Sequence, residues 1–190
     1  MILKIVKYGT PVLREKGREV KVVDEKIKQL AADMLETMRD ANGVGLAAQQ
    51  IGVPIQMTVI DVAGIEDRPS AMYIDDKEVK LEDYMPITLL NPHLKLSKDK
   101  ETGNEGCLSF PEISAEISRS AGVRCKAMLL DGAEIEFDAA GLLARALQHE
   151  VDHLNGVLFI DRMNSATKTS LAGRLKRMQK ETKEEEEQGR

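Results

Sequence analysis

Apolar residues recur at helical spacing in the segment that follows Asp24. They stand three and four positions apart, at Ile27, Leu30, Ala31, Met34, Leu35 and Met38. Asp24 is a residue type that favours a helix N-cap, and Asn42 and Gly43 tolerate the left-handed conformation that ends a helix. The pattern therefore predicts a first helix between these signals, with its apolar face and its methionines in the core.

A second helical pattern is apolar on almost every side. Its apolar positions are Leu142, Leu143, Ala146, Leu147, Val151 and Leu154. A helix of this kind is typical of a central, buried position. We expect Asp138 or a near neighbour to cap its start, and Asn155-Gly156 to end it.

A third helical pattern begins near Ser165. Its apolar residues are Leu171, Leu175 and Met178, which are spaced four and three apart and can pack on the rest of the chain. The acidic run at residues 184–187 predicts a solvated, frayed end to this helix.

Four segments have the pattern of β-strands. They are residues 56–62, 112–118, 123–130 and 134–137. Asp131-Gly132 separates the last two and is a strong hairpin signal, so antiparallel pairing is expected. Residues 63–85 are polar and irregular, which predicts a surface insertion.

Length and composition indicate a globular protein. The chain has 190 residues, of which 42% are hydrophobic and 31% charged, and this excludes collagen-like, low-complexity and wholly disordered chains. We predict one domain over residues 1–164, followed by a C-terminal helix and charged tail over residues 165–190.

The lengths of the apolar runs and the pattern of the first residues predict where the protein acts. No apolar run approaches the roughly 20 residues that cross a bilayer, and the first nine residues alternate lysines with apolar residues instead of forming a secretory signal. We therefore expect a cytoplasmic protein without membrane contact.

The net charge of −5 argues against nucleic-acid binding driven by overall charge, so no specific nucleic-acid partner is expected.

The strongest chemical signal is His149-Glu150-Val151-Asp152-His153, which contains two of the three histidines. Residues four apart share a helix face, so both imidazoles can bind one divalent metal. Glu150 lies beside them, where it can accept the proton of a water bound by that metal. This pattern is typical of metal-assisted hydrolysis.

A catalytic metal usually has three protein ligands, so another ligand is needed. Cys107 follows a glycine in Glu105-Gly106-Cys107-Leu108-Ser109, and its thiolate would be a strong ligand for zinc or ferrous iron. Asp152 projects about 100° away from His153 on a helix and is expected to support the site or cap.

The remaining cysteine and histidine are interpreted as structural. Cys125 lies in a strand pattern and is expected to be a small buried hydrophobe. His93 follows Asn91-Pro92 in a turn-like context, which indicates a surface or structural histidine. Two cysteines cannot supply a disulfide framework.

The segment from Gly43 to Gly52 is rich in small residues and contains Gln49 and Gln50. Small residues allow close approach of a ligand to the backbone, and a glutamine amide can donate to an oxyanion. Taken alone, this signal is weak, and the segment is better explained by a helix C-cap and tight packing.

Taken together, three segments closely resemble the signature segments of peptide deformylases. They are Gly-Val-Gly-Leu-Ala-Ala-Gln-Gln, Glu-Gly-Cys-Leu-Ser and Gln-His-Glu-Val-Asp-His, in this order. The resemblance extends over roughly residues 2 to 163. It implies an α+β fold, with antiparallel strands that cradle a central helix carrying the histidines, and with a C-terminal helix.

The resemblance also implies roles for individual residues. The metal ligands would be Cys107, His149 and His153, and Glu150 would be the general base. The oxyanion would be bound by the side chain of Gln50 and the backbone N–H of Leu108. The metal would be Fe²⁺, which Zn²⁺ or Ni²⁺ can replace.

The implied reaction removes the formyl group from N-formylmethionyl nascent chains and releases formate. We expect the methionine side chain to lie in an apolar pocket. Candidate residues of its wall, chosen because they lie near the motifs, are Val44, Gly45, Leu142 and Ala146.

The sequence departs from the family pattern at several places. The segment formed by residues 63–89 is longer than expected for the family, which affects the lip of the substrate groove. Phe110 can narrow the same region, and Arg145 can change the polarity of the pocket. In some relatives a basic C-terminal helix contacts the ribosome. The basic residues of this helix keep such a contact open, although the terminal glutamates oppose it; they are Lys168, Arg174, Lys176, Arg177, Lys180 and Lys183.

Two other functions stay open at this stage. One is a metallopeptidase that cleaves internal peptide bonds, because the helix motif occurs equally well there. The other is a non-catalytic peptide-binding or ribosome-associated module with a structural metal. Such a metal would need a fourth protein ligand, from His93 or Cys125.

Overall fold

The computed structural model describes residues 1–189 and has an α+β architecture with nine strands and three α-helices in that range. Arg190, the last residue of the predicted tail, lies outside the described residues. The strands are β1 (Gly45–Ala47), β2 (Met57–Ile60), β3 (Ser70–Ile74), β4 (Lys77–Val79), β5 (Ile87–Leu96), β6 (Lys100–Cys107), β7 (Phe110–Ser120), β8 (Gly122–Met128) and β9 (Glu134–Ala140). The helices are α1 (Glu25–Asp40), α2 (Gly141–Leu154) and α3 (Ser165–Gln188).

Two antiparallel units surround the central helix. Seven strands form one sheet in the order β1-β2-β5-β8-β9-β3-β4, and β6 pairs with β7 in a separate two-stranded ribbon. Helix α2 packs against strands of both units. The predicted fold, in which antiparallel strands cradle a central helix and a C-terminal helix follows, is confirmed.

The first helix forms as its pattern predicts. The Asp24 side chain accepts a hydrogen bond from the Ile27 N–H, 2.9 Å away, which satisfies one of the free donors at the helix start. Asn42 has a φ of +56° just after the helix. Met34 and Met38 are fully buried. They belong to the core that this helix shares with β2.

The predicted cap of α2 is wrong. Asp138 lies in β9 and pairs with Arg124 of β8, 2.9 Å away. The Ser70 hydroxyl instead accepts a hydrogen bond from the Leu143 N–H at 2.9 Å, and the Pro69 carbonyl accepts one from the Leu142 N–H at 3.1 Å. Pro69 and Ser70, at the start of β3, therefore satisfy two of the free donors of the helix, and these acceptors are distant from the helix in the sequence.

The prediction that residues 63–85 are irregular is wrong in part, because β3 and β4 form a hairpin there. Asp75 and Asp76 make the turn with φ of +50° and +61°. Strand β3 pairs with β9, and its Met72 is fully buried. The hairpin is hard to recognise because its outer strand is charged and exposed, as is common at a sheet edge.

Strand β5 contains His93, so the turn-like context expected for this residue is wrong. The register of β5 against β8 shifts between Leu90 and His93, and Asn91 has a φ of +51°. The Asn91 side chain both donates to and accepts from the backbone of Val20, at 2.8 Å in each case. A bulge therefore places Asn-Pro inside a strand. His93 is exposed, as predicted.

Cys125 and the apolar face of α3 both lie in packed clusters. Cys125 is fully buried in β8, as predicted, and burial raises the pKa of its thiol to about 12. Leu175 packs in a core cluster with Phe110 and Phe159, which confirms the apolar face of α3.

The frayed end predicted for α3 is wrong, because the helix continues to Gln188. Its Glu185 carboxylate lies 3.3 Å from the Lys7 ammonium, and Glu186 accepts a hydrogen bond from the Thr10 hydroxyl. Within residues 1–189, none of the helices combines the length and the apolar character needed to traverse a bilayer.

Candidate active site

Helix α2 places His149 and His153 one turn apart on the same face. Their ring centroids are 5.0 Å apart, and both side chains are buried. The spacing of four residues that the sequence motif predicts therefore brings two imidazoles together in the interior.

Cys107 joins the two histidines from the end of β6. Its Sγ atom lies 3.2 Å from Nε2 of His153. One ligand atom of each of the three residues lies within 4.8 Å of the others. A thiol and two imidazoles at this spacing fit a divalent metal such as zinc or iron. Neither His93 nor Cys125 belongs to this group in the described part of the chain.

Glu150 lies beside the group and is buried. Its Oε2 atom has no hydrogen-bond partner among residues 1–189, and burial raises the pKa of the carboxyl to about 7. Gly45 of β1 makes room for this side chain, because a Cβ atom at residue 45 would lie 2.5 Å from Oε1. A carboxyl that titrates near neutral pH is suited to accept a proton.

Gln50 lies beside Cys107, and hydrogen bonds hold its side chain. Its Oε1 accepts a hydrogen bond from the Ala47 N–H at 3.0 Å, which determines how the amide is oriented. Its Nε2 donates to the Ser109 hydroxyl at 3.2 Å and lies 3.6 Å from the Cys107 sulfur. The amide donor therefore faces the group of candidate ligands, next to Leu108.

Glu105 has a position that the sequence analysis missed. Its Oε1 lies 2.9 Å from Nδ1 of His149, and Arg119 of β7 donates to both carboxylate oxygens at 2.8 and 2.9 Å. Burial opposes ionisation of Glu105, but the hydrogen bonds from Arg119 and His149 outweigh it and hold the pKa of this carboxyl well below its usual range. The Glu-Gly-Cys motif is the available signal, because it places Glu105 two residues before Cys107.

Asp152 and Arg145 extend this polar cluster. Asp152 accepts hydrogen bonds from Arg119 at 2.6 Å and from Arg162 at 2.8 Å, so it supports the site instead of joining the ligand group, as expected. Arg145 donates to the second oxygen of Glu105 at 2.8 Å.

A cavity of about 620 Å³ opens beside these groups. The wall contains all four residues expected to form the substrate pocket, which are Val44, Gly45, Leu142 and Ala146. Gln50, Leu108, Phe110 and Glu150 also line it. Arg68, from the long segment between β2 and β5, lies at its edge and donates to the Asn104 carbonyl at 3.0 Å.

The fold and this site define a class of α+β proteins with a candidate Cys-His-His metal centre beside a carboxylate and a cavity. The family model described as polypeptide deformylase matches residues 2–169. The chain belongs to the peptide deformylase family of enzymes. Membership of this family makes it a hydrolase of N-terminal protein processing, which removes the formyl group from nascent peptides.

Individual relatives cover almost the whole chain. A peptide deformylase of Methylacidiphilum infernorum is 44% identical over 180 residues, which are 95% of this chain and 94% of that protein. One of Opitutus terrae is 42% identical, with 96% of both chains covered. The crystal structure of Arabidopsis thaliana peptide deformylase 1B with an inhibitor has a TM-score of 0.83 at 34% identity, and covers 96% of this chain and 93% of that chain. The Thermotoga maritima enzyme has a TM-score of 0.73 at 37% identity, and covers 86% of this chain and 99% of that chain.

Proposed function

We propose that this chain hydrolyses the formamide bond of N-formylmethionyl peptides with a metal ion held by Cys107, His149 and His153, releasing formate and a free amino terminus. The observation that carries the proposal is the convergence of these three ligand atoms within 4.8 Å. The group lies against the cavity, since Cys107 and His149 both contribute to its wall. We propose Fe²⁺ as the resident metal, with Zn²⁺ or Ni²⁺ able to replace it.

A metal held by Cys107, His149 and His153 would supply Lewis acidity, which polarises a carbonyl group and makes water a better nucleophile at neutral pH. Glu150 accepts the proton of the attacking water and returns it to the amine nitrogen as the formamide bond breaks. Its burial and the free Oε2 atom support this role. One carboxyl then serves both halves of the reaction.

Two donors of the chain stabilise the negative charge that develops on the formyl oxygen. They are the side-chain amide of Gln50 and the backbone N–H of Leu108. The hydrogen bond that Gln50 accepts from Ala47 supports this assignment, because it orients the amide before the substrate binds.

The apolar part of the cavity holds the methionine side chain, with Val44, Leu142 and Ala146 as its wall. Gly45 contributes the backbone at the point where Glu150 approaches. A formyl group is smaller than any other acyl group, so a narrow site selects it over an acetylated or internal amide. This selection separates the proposed activity from that of a peptidase.

We also propose that residues 1–164 contain the catalytic machinery and that the enzyme acts in the cytoplasm. A further proposal is that α3 contacts the ribosome. The contact is supported by basic side chains of α3 that are exposed; they are Lys168, Arg174, Lys176, Arg177, Lys180 and Lys183. Cosedimentation with ribosomes tests this contact by comparing the wild-type chain with a variant that has glutamates at these positions. Equal binding of the two proteins to ribosomes would contradict the contact.

The main test compares formyl-Met-Ala with acetyl-Met-Ala. The purified protein is loaded anaerobically with Fe²⁺, or in a parallel sample with Ni²⁺, and both formate and free amine are measured. We expect formate and amine in equal amounts from the formylated peptide and no reaction of the acetylated one. Absence of formate from both metal forms refutes the proposal, and cleavage of an internal bond would identify a peptidase.

A further inference from the structure

Arg145 is a buried charged residue that the proposed reaction does not use. It lies on α2 and is only 7% exposed. It lines the cavity together with Leu142 and Ala146. A buried guanidinium is costly unless its donors are satisfied. Its presence among apolar wall residues therefore needs an explanation.

Both strands of the β6–β7 ribbon hold this guanidinium in place. Nη1 donates to the Ile117 carbonyl of β7 at 2.8 Å, and Nη2 donates to the Glu101 carbonyl of β6 at 2.8 Å. Nη1 also donates to the Glu105 carboxylate. Hydrogen bonds to three separate residues determine the position and the plane of the group, so it forms a rigid part of the wall.

Gly103 provides the space that the guanidinium occupies. A Cβ atom at residue 103 would lie 3.1 Å from both Cζ and Nη2 of Arg145. Asn104 and Glu105 of the same strand line the cavity together with Arg145. Because Gly103 has no side chain, the large side chain of Arg145 fits beside it. The two residues therefore form one structural unit.

Arg145 lies one helical turn away from His149 of the candidate metal centre. Arg145 precedes His149 by four residues, which is roughly 6 Å along the helix axis. Both residues line the cavity. A side chain of methionine's length that starts near the reacting formamide therefore reaches the level of Arg145.

We propose that Arg145, seated on Gly103, closes the far end of the side-chain pocket and so determines the length of side chain that the enzyme accepts. This inference rests on the proposed function. An unbranched side chain of methionine's length fits against the guanidinium, and a longer one meets a group that hydrogen bonds hold in place.

The test compares two formylated dipeptides that differ only in length. They are formyl-norleucyl-alanine and formyl-2-aminooctanoyl-alanine, whose first side chain is two methylenes longer. We expect wild type to prefer the shorter substrate and Arg145→Ala to shift the ratio of kcat/KM values toward the longer one by on the order of 10-fold or more. Arg145→Met, which refills the space, should restore the preference.

A second variant acts on the same unit from the other strand. Gly103→Ala presses on the guanidinium and should lower kcat/KM for the norleucyl substrate more than for its shorter formyl-alanyl homologue. It serves as the decisive variant if Arg145→Ala does not fold. An unchanged length preference in the folded variants, with activity lowered equally for all substrates, would mean that Arg145 only supports Glu105, and would overturn the inference.

Binding of the deformylated products separates this inference from the proposed function. Calorimetry with norleucyl-alanine and 2-aminooctanoyl-alanine reports the length preference without turnover. A wild-type protein that releases no formate contradicts the proposed reaction, while the affinity ratio of these dipeptides still decides the role of Arg145.

Discussion

Glu105 and His149 lie 2.9 Å apart through Oε1 and Nδ1. Because the Glu105 carboxyl is ionised, it can only accept, so Nδ1 of His149 donates the hydrogen bond. In the neutral imidazole, a proton on Nδ1 leaves Nε2 with a free lone pair, and this tautomer binds a metal through Nε2. The buried carboxylate therefore selects the tautomer that the candidate metal centre needs.

Replacing Glu105 should weaken metal binding without removing a ligand. We expect Glu105→Ala to lower metal affinity by about 10- to 100-fold, because His149 loses the partner that orients it. Glu101→Gln, an exposed position on the same strand, is the matched control and should bind metal like wild type. Competition with a chelator measures both affinities, and equal values would contradict the orienting role.

Cys107→Ser should lower metal affinity sharply or change the metal that is bound, because an alcohol is a much poorer anionic ligand than a thiolate. Cys125→Ser should retain the metal, since Cys125 lies in the core of the seven-stranded sheet. Elemental analysis after gel filtration gives the stoichiometry of each variant. Loss of metal from both variants alike would show that the ligand assignment is wrong.

Gln50→Ala should reduce kcat while the metal content stays intact. The proposed donor acts on charge that develops only in the transition state, and loss of one such donor typically costs on the order of 10² to 10³ in kcat. Steady-state kinetics with formyl-Met-Ala measures the effect. A folded variant with normal kcat would limit Gln50 to its structural contacts with Ala47 and Ser109.

Glu150→Gln should separate metal binding from catalysis. Glutamine keeps the size of the side chain but cannot accept the proton of water, so single-turnover deformylation should fall by about 10⁴-fold or more, the upper end of general base effects. Metal stoichiometry, measured in the same preparation, should equal that of wild type. A variant with metal and near-normal turnover refutes the base assignment, and one without metal would make Glu150 a ligand.

Leu175→Ala should destabilise the protein by about 2 to 5 kcal/mol, because it leaves a cavity in a packed cluster. Leu175 is 8% exposed and belongs to the cluster of Phe110 and Phe159. Its exposed neighbour Lys176 provides the control, since Lys176→Ala should change stability by no more than about 0.5 kcal/mol. Urea denaturation measures both, and equal midpoints would contradict the docking of α3.

The sequence predicts those parts of the site that short-range geometry determines. His149, Glu150 and His153 share a helix turn, so their spacing alone places them together. Cys107 is assigned from its motif, and Glu105 belongs to the same motif. The positions of Arg119 and of the Arg145–Gly103 pair could not be recognised from the sequence, because they depend on how separate elements pack.

The same difference between short-range geometry and long-range packing explains the errors in the predicted fold. The Asp24 cap is local and is predicted correctly, whereas the group that caps α2 is Ser70, 73 positions before its partner Leu143. The β3–β4 hairpin was missed because its acidic turn and charged outer strand resemble a solvated loop. Pairing with β9, which only the folded sheet provides, makes it ordered structure.

The contact between Ser70 and Leu143 also constrains the order of folding. An isolated helix of this length is marginal in water, and the first turn of α2 donates hydrogen bonds to Pro69 and Ser70, at the start of a strand that pairs with β9. We therefore expect the histidines to converge with Cys107 after this long-range contact forms, and such contacts form slowly because closing a long loop costs entropy. Amide protons at the start of α2 should gain protection from exchange together with those of β3, so that the metal encounters a finished sheet.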